Sequence, residues 1–214
     1  AGIQGAQTPW LAFLDSDDAW QPTKLEQQLT ALSRAPHYKI SHTEELWFRH
    51  GVRVNPMRKH QKKGGWIYQH CLPLCAISPS SVVVHQTVLN QVGDFDTALP
   101  ACEDYDLWLR ITALYPVQFL ETPLTLKYGG HADQLSKQHW GMDRFRIHAL
   151  EKMLNSPHLS PEHYQATLQM FQTKLTILLK GAHKHHNLAL QQSLAQVSER
   201  LKRLVCKPVI TEEN

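Results

Sequence analysis

The chain has 214 residues, 42% of them hydrophobic and 19% charged, which suffices for one domain with a substantial core plus an appendage. Its 22 Lys and Arg against 19 Asp and Glu leave a formal charge of +3, too mild to point to nucleic acid as a partner, and its 14 His make that charge sensitive to pH. No apolar run approaches the ~20 residues of a membrane span, and no repeat of fixed period is evident.

In chain order, the first informative stretch is an apolar run, Trp10, Leu11, Ala12, Phe13 and Leu14, that stops abruptly at Asp15-Ser16-Asp17-Asp18. That pattern predicts a buried strand whose C-terminal end opens into a ligand crevice. Asp15 and Asp17 are two apart, so they share a face of an extended chain and converge on one ion just past the strand end, with Asp18 pointing elsewhere. A hard divalent cation held there would bridge a nucleotide diphosphate to the protein. The bland alternative is a polar turn capping the helix announced by Pro22, Thr23, Lys24 and Leu25.

From about Trp47 to Gly65 the chain is poorly periodic and basic, with Arg49, Arg53, Arg58, Lys59, Lys62 and Lys63, and reads as a strand-rich insertion or mobile loop. Its functional reading is a patch meeting a lipid-linked diphosphate or an anionic membrane surface, each cation there being worth on the order of 1 kcal/mol. An ordinary solvated loop is the favoured reading. The four cysteines, Cys71, Cys75, Cys102 and Cys206, show no metal-binding pair spacing and read as reduced thiols of a cytosolic protein. Further on, Leu107, Trp108, Ile111 and Leu114 recur at helical spacing and put Glu103 and Asp104 in the first turn or cap. A carboxylate there feels the positive helix end, which suits a base and equally suits a plain N-cap. Cys102 is rejected as a nucleophile, since no His stands near it in sequence.

After about Trp140 the period is helical throughout. One stripe is Met142, Phe145, Ala149 and Met153; a second, Tyr164, Leu168, Phe171, Leu175 and Leu178, follows the cap pair Ser160-Pro161; a third is Leu190, Leu194, Val197, Leu201 and Leu204. They predict a helical appendage, residues 140–214, packed on the catalytic part or on a second subunit, a homo-oligomer. His183-Lys184-His185-His186 reads as helix-end surface in preference to a metal site.

Four motifs in order resemble glycosyltransferase family 2, enzymes of the A-type nucleotide-sugar glycosyltransferase fold. They are Phe13-Leu14-Asp15-Ser16-Asp17-Asp18-Ala19-Trp20 with Pro22, Lys24, Leu25 and Glu26; Ser80-Ser81-Val82-Val83-Val84 with Gly93-Asp94-Phe95-Asp96; Glu103-Asp104-Tyr105-Asp106-Leu107-Trp108-Leu109-Arg110; and Tyr128-Gly129-Gly130-His131 with Asp133, Gln134, Leu135 and Ser136. The resemblance implies an α/β fold, the mixed sheet with flanking helices of a nucleotide-diphospho-sugar transferase, over residues 1–139. It implies Asp17 as direct ligand of Mn²⁺ or Mg²⁺, Asp15 as its partner toward metal and ribose, Asp104 as general base, Glu103 as a residue positioning acceptor or loop, and His131 as a diphosphate or metal contact. Family members carry a nucleotide-binding half ahead of the Asp-Ser-Asp strand, where only Ala1–Pro9 stand here, so the chain reads as a piece of a longer enzyme that alone binds sugar nucleotide poorly.

The function expected is an inverting transfer of a sugar from a nucleotide diphosphate to a hydroxyl of a glycan or lipid-linked acceptor, in cell-surface polysaccharide synthesis, in the cytoplasm or at the inner face of the membrane. The competing reading is a non-catalytic helical interaction module with relic acidic motifs. A nucleotidyltransferase is disfavoured, because nothing resembles its Gly-rich triphosphate loop.

Overall fold

A computed structural model of the chain describes residues 2–55, 57–130 and 141–205. It divides into two compact units, Ala1–His139 and Trp140–Asn214.

In the first unit a short helix α1 (Gly2–Gly5) leads to β1 (Trp10–Ala12), an acidic turn and β2 (Ala19–Trp20), then α2 (Lys24–Arg34), β3 (Ile40–Arg49), β4 (Val52–Val54) and α3 (Tyr68–Cys71). A 3-10 turn at Pro79–Ser81 precedes β5 (Val83–His85), α4 (Gln86–Val92), α5 (Glu103–Thr112) and β6 (Gln118–Gly129). The strands make one mixed sheet in the order β1-β5-β3-β6-β2, with β4 hairpinned onto β3. Only β3 and β6 run parallel; the other pairs are antiparallel. Their register slips on either side of Glu44, where Thr43 faces Leu120 and Glu44 faces Pro123, so the strand proline, which lacks an N–H, falls at an irregularity.

The apolar run at the start forms a shorter and less buried strand than expected. β1 ends at Ala12, lies at the edge of the sheet, and buries only Leu11, while Leu14 is exposed. The long inner strand is β3, whose sequence Ile-Ser-His-Thr-Glu-Glu does not read as a core strand. Buried polar groups must find partners to be tolerated there. Ser41 accepts from Gln28 Nε2, Thr43 shares a hydrogen bond with Thr125 at 3.0 Å, His42 Nε2 donates to Lys63 O at 2.8 Å, and Glu45 pairs with Lys62 at 3.2 Å. The buried face of α2 is likewise Lys24, Gln28 and Leu32, one residue per turn, with Gln28 tying the helix to Ser41 and Ser81. Lys62, from the stretch expected to be a solvated loop, is therefore part of the interior, whereas Arg49, Arg53, Arg58 and Lys63 are exposed.

The second unit is helical: α6 (Asp143–Leu154), α7 (Pro161–Lys184) and α8 (Leu188–Val205). Ser160 caps α7 by accepting from His163 N, with Pro161 at its first position. Leu168, Phe171, Leu175 and Leu178 are buried as a stripe, and so are Leu194, Val197 and Leu204 on α8. On α6 the core stripe is wider than expected and is carried by Ile147, Leu150 and Leu154 beside Ala149 and Met153. Asp143 accepts from Lys174 and Arg146, both at 2.9 Å, which holds its carboxyl below the usual range although burial opposes this. The run His183–His186 is exposed.

Candidate active site

The acidic turn is held by the two elements beside it. β2 pairs with β6, Ala19 opposite Leu126 and Trp20 opposite Thr125, so residues 15–18 are delivered beside Lys127 and Tyr128. From the other side the Pro79–Ser81 turn reaches in. Ser80 Oγ accepts from Asp15 N at 3.1 Å and donates to Asp18 Oδ2 at 2.6 Å, while Trp20 Nε1 donates to Ser80 O at 2.7 Å.

Asp18 does not point away, as the extended-chain spacing had it; it is the pin of the turn. Its Oδ2 also accepts from Lys127 Nζ at 2.7 Å and its Oδ1 from Tyr128 N at 3.3 Å, and none of its side chain is exposed. A turn at Asp15, where Asp18 N donates to Asp15 O at 3.1 Å, breaks the strand periodicity on which that expectation rested. Lys127 Nζ donates further to Ser78 Oγ at 3.0 Å and lies 3.6 Å from Asp15 Oδ2. Burial would lower this lysine, but the hydrogen bond and charge of Asp18, helped by Glu45 and Asp15, hold it above its ordinary value.

Asp15, Asp17 and Asp18 can each offer a carboxylate oxygen, all within 4.8 Å of one another. An all-oxygen set of this kind fits a hard divalent cation such as Mg²⁺ or Mn²⁺. Since Asp18 is taken up by Ser80, Lys127 and Tyr128, the groups fitted to a cation are Asp17, which is exposed, and Asp15, whose side chain is 46% exposed. Partial burial raises the Asp15 carboxyl above the usual range; Lys127 opposes this and the charges of Asp18 and Asp17 add to it.

The second cluster stands at the start of α5. Cys102, just before the helix, has φ 63°, the left-handed region that non-glycine residues seldom adopt and that recurs at functional sites. Glu103 and Asp104 both lie in the first turn, half-buried. Asp104 Oδ1 accepts from Tyr105 N at 2.7 Å, and Oδ2 accepts from the Cys75 thiol at 3.1 Å. The inner face of α5 is Tyr105, Leu107, Trp108, Leu109 and Ile111, all essentially buried. Arg110 clamps the helix to the preceding turn: it donates to Asp106 Oδ2 at 2.7 and 2.9 Å, to Val92 O at 2.6 Å, to Gly93 O at 3.0 Å and to Asp94 O at 2.9 Å. Gly93, with φ 87°, supplies the turn that brings those carbonyls together.

That turn joins the two clusters. Phe95 packs edge-on against Phe13, centroids 5.3 Å apart, and against Trp108 at 6.3 Å, so an aromatic chain runs from the acidic turn to α5. Across the intervening space the carboxylates sense each other: Glu103 is raised above its ordinary value first by burial, then by the charges of Asp104 and Asp15. Asp15 thus lies within electrostatic range of Glu103. His131 lies outside the described residues, as do Asp133, Gln134, Leu135 and Ser136 of its motif. Sequence reading missed Lys127, Ser78 and the thiol of Cys75. A lysine closing the strand-like stretch Leu124-Thr125-Leu126 was the available signal for the first; nothing local marked the others.

Residues 1–78 match Glycosyl transferase family 2. An uncharacterized glycosyltransferase of Rickettsia conorii is 28% identical over 149 residues, covering 64% of this chain and 23% of that protein. An uncharacterized glycosyltransferase of Rickettsia typhi is 22% identical over 195 residues, covering 85% of this chain and 54% of the relative. The chain therefore spans between about a fifth and a half of the length of the curated relatives it matches. Among solved structures, S. aureus TarS 1-349 in complex with UDP-GlcNAc superposes with a TM-score of 0.59 at 14% identity, over 83% of this chain and 51% of that 1-349 chain. TarS 1-349 with UDP gives a TM-score of 0.53 over 83% and 49%. The first unit accordingly has the mixed sheet and flanking helices of the A-type glycosyltransferase fold.

Proposed function

We propose, from the premise that residues 1–78 are a segment of glycosyl transferase family 2, that the parent protein is an inverting glycosyltransferase acting from a nucleotide-diphosphate sugar. The acceptor is a hydroxyl of a glycan or lipid-linked glycan, in cell-surface polysaccharide synthesis on the cytoplasmic side. The observation that carries this reading is that Phe95 links Phe13, beside the acidic turn, to Trp108 of α5, and that Asp15 lies close enough to act on Glu103. The TarS complex with UDP-GlcNAc supports a nucleotide-sugar donor.

In this reading Asp104 takes the proton from the acceptor hydroxyl as its oxygen attacks the anomeric carbon from the face opposite the diphosphate. A positioned base contributes roughly 10²- to 10⁴-fold in rate. Asp17 and Asp15 would hold Mn²⁺ or Mg²⁺, which when bound offsets charge on the leaving diphosphate. Lys127 keeps the turn formed by neutralising Asp18, and Glu103, raised by its surroundings, positions the acceptor by hydrogen bonding.

Transfer and donor hydrolysis by the full-length parent, assayed over a panel of nucleotide-diphosphate sugars, test the reading. Asp104→Asn and Asp17→Asn should each lower turnover by about 100-fold or more. Unchanged turnover in either variant counts against the role given to that residue, and in both would favour the interaction-module reading.

A further inference from the structure

The thiol of Cys75 has no part in the chemistry above, yet its Sγ lies 3.1 Å from Oδ2 of Asp104 and 3.2 Å from the carbonyl of Ile77. The segment that carries it is anchored to the same helix as Asp104, because Tyr105 Oη donates to Leu72 O at 2.6 Å. A thiol has one hydrogen, and of these two acceptors an ionised carboxylate is the stronger. The hydrogen stays on sulfur: burial, and after it the charge and hydrogen bond of Asp104, push this thiol well above its ordinary range. Cys75 is therefore a donor to Asp104 and a poor nucleophile.

We propose that Cys75 is a positioning residue for Asp104: its thiol holds Oδ2 of the ionised carboxylate in place and turns to the Ile77 carbonyl as Asp104 takes up the acceptor proton. Each carboxylate oxygen then has one fixed donor before reaction, Tyr105 N on Oδ1 and Cys75 on Oδ2, which restricts rotation of the base. The second acceptor matters because a neutral carboxyl is a weaker partner. With Ile77 O within reach, the thiol keeps a hydrogen bond in both protonation states of the base and does not oppose proton transfer. The proposal rests on the assignment of Asp104 as base.

Two measurements test it separately from that assignment. In the full-length parent, Cys75→Ala should lower kcat about tenfold, with KM for the donor changed less than about twofold, and Cys75→Ser, which keeps a donor, should recover most of the loss. Equal kcat values in the wild type and Cys75→Ala, or equal losses in the Ala and Ser variants, overturn it. In the 214-residue chain, the S–H stretching band identified as Cys75 by its disappearance in Cys75→Ser should move to higher frequency in Asp104→Ala. A band that stays in place removes the contact and with it the proposal. Full activity in Asp104→Asn beside a band that does move would discard the base assignment, and the positioning role with it, while leaving the hydrogen bond standing.

Discussion

Lys127 Nζ stands 2.7 Å from Oδ2 of Asp18, a carboxylate with no exposed side-chain surface, and this pair fastens the acidic turn to β6. The turn contributes three negative charges in four residues, and only Lys127 among the described residues forms ion pairs with them. Replacing it by Met would leave Asp18 buried with Ser80 and Tyr128 as its remaining donors. Breaking a buried pair from one side costs about 3–5 kcal/mol; with Lys127 24% exposed and those two donors retained, we expect about 2–3 kcal/mol. Urea unfolding followed by tryptophan fluorescence measures it. A loss under about 0.5 kcal/mol would reduce the pair to an ordinary surface contact.

Arg110 performs the corresponding task for α5, since one guanidinium joins Asp106 to three carbonyls of the Val92–Asp94 turn. Asp106 has no exposed side-chain surface, so Arg110→Ala should destabilise the chain by roughly 3–5 kcal/mol. Lysine carries the charge but not the planar fork, so Arg110→Lys should recover less than half of that. Because the turn carries Phe95 onto Phe13, the alanine variant should also loosen that contact, seen as faster amide exchange at Phe95 and Asp96. Exchange unchanged there would show that the aromatic contacts alone hold the turn.

The acidic motifs were legible because they combine a break in an apolar run with carboxylates at a strand or helix end, and such punctuation is local. Asp104 and Glu103 fall in the first turn of α5 for that reason. What was not legible is whatever depends on a partner distant in sequence. Asp18 was misread because its direction is set by Ser80 and Lys127, 62 and 109 residues away along the chain. β3 escaped notice because its buried Ser41, His42, Thr43 and Glu45 are tolerated only through partners on other segments. The edge position of β1 follows from pairing order, which strand composition does not encode.

The thiols near α5 should be chemically quiet. Burial pushes Cys71 up to about 12, and Cys75 is raised by burial and by Asp104, so neither carries appreciable thiolate at pH 8. Iodoacetamide at that pH, read by peptide mass mapping, should label Cys71 and Cys75 only after denaturation. Rapid modification of Cys75 in the folded chain would contradict its raised thiol and its hydrogen bond to Asp104.

Lys24 offers a test of how dry the interface between α2 and the sheet is. Its side chain is buried, with Nζ donating to Gln28 Oε1 at 2.7 Å and lying 4.4 Å from the centre of the Trp20 ring, and burial lowers it to about 8. An unfolded lysine titrates near 10.4. Below about pH 8 both states are charged and the folded one bears the desolvation cost. Between about 8 and 10.4 the folded chain has lost the proton while the unfolded chain retains it, so stability rises with pH, by at most about 3 kcal/mol. Lys24→Met removes the titrating group, and the difference in unfolding free energy between wild type and variant should change across that window and be flat from pH 6 to 7. A difference that is flat from pH 6 to 10.5 would mean that water reaches the ammonium and that Gln28 and Trp20 do not enclose it.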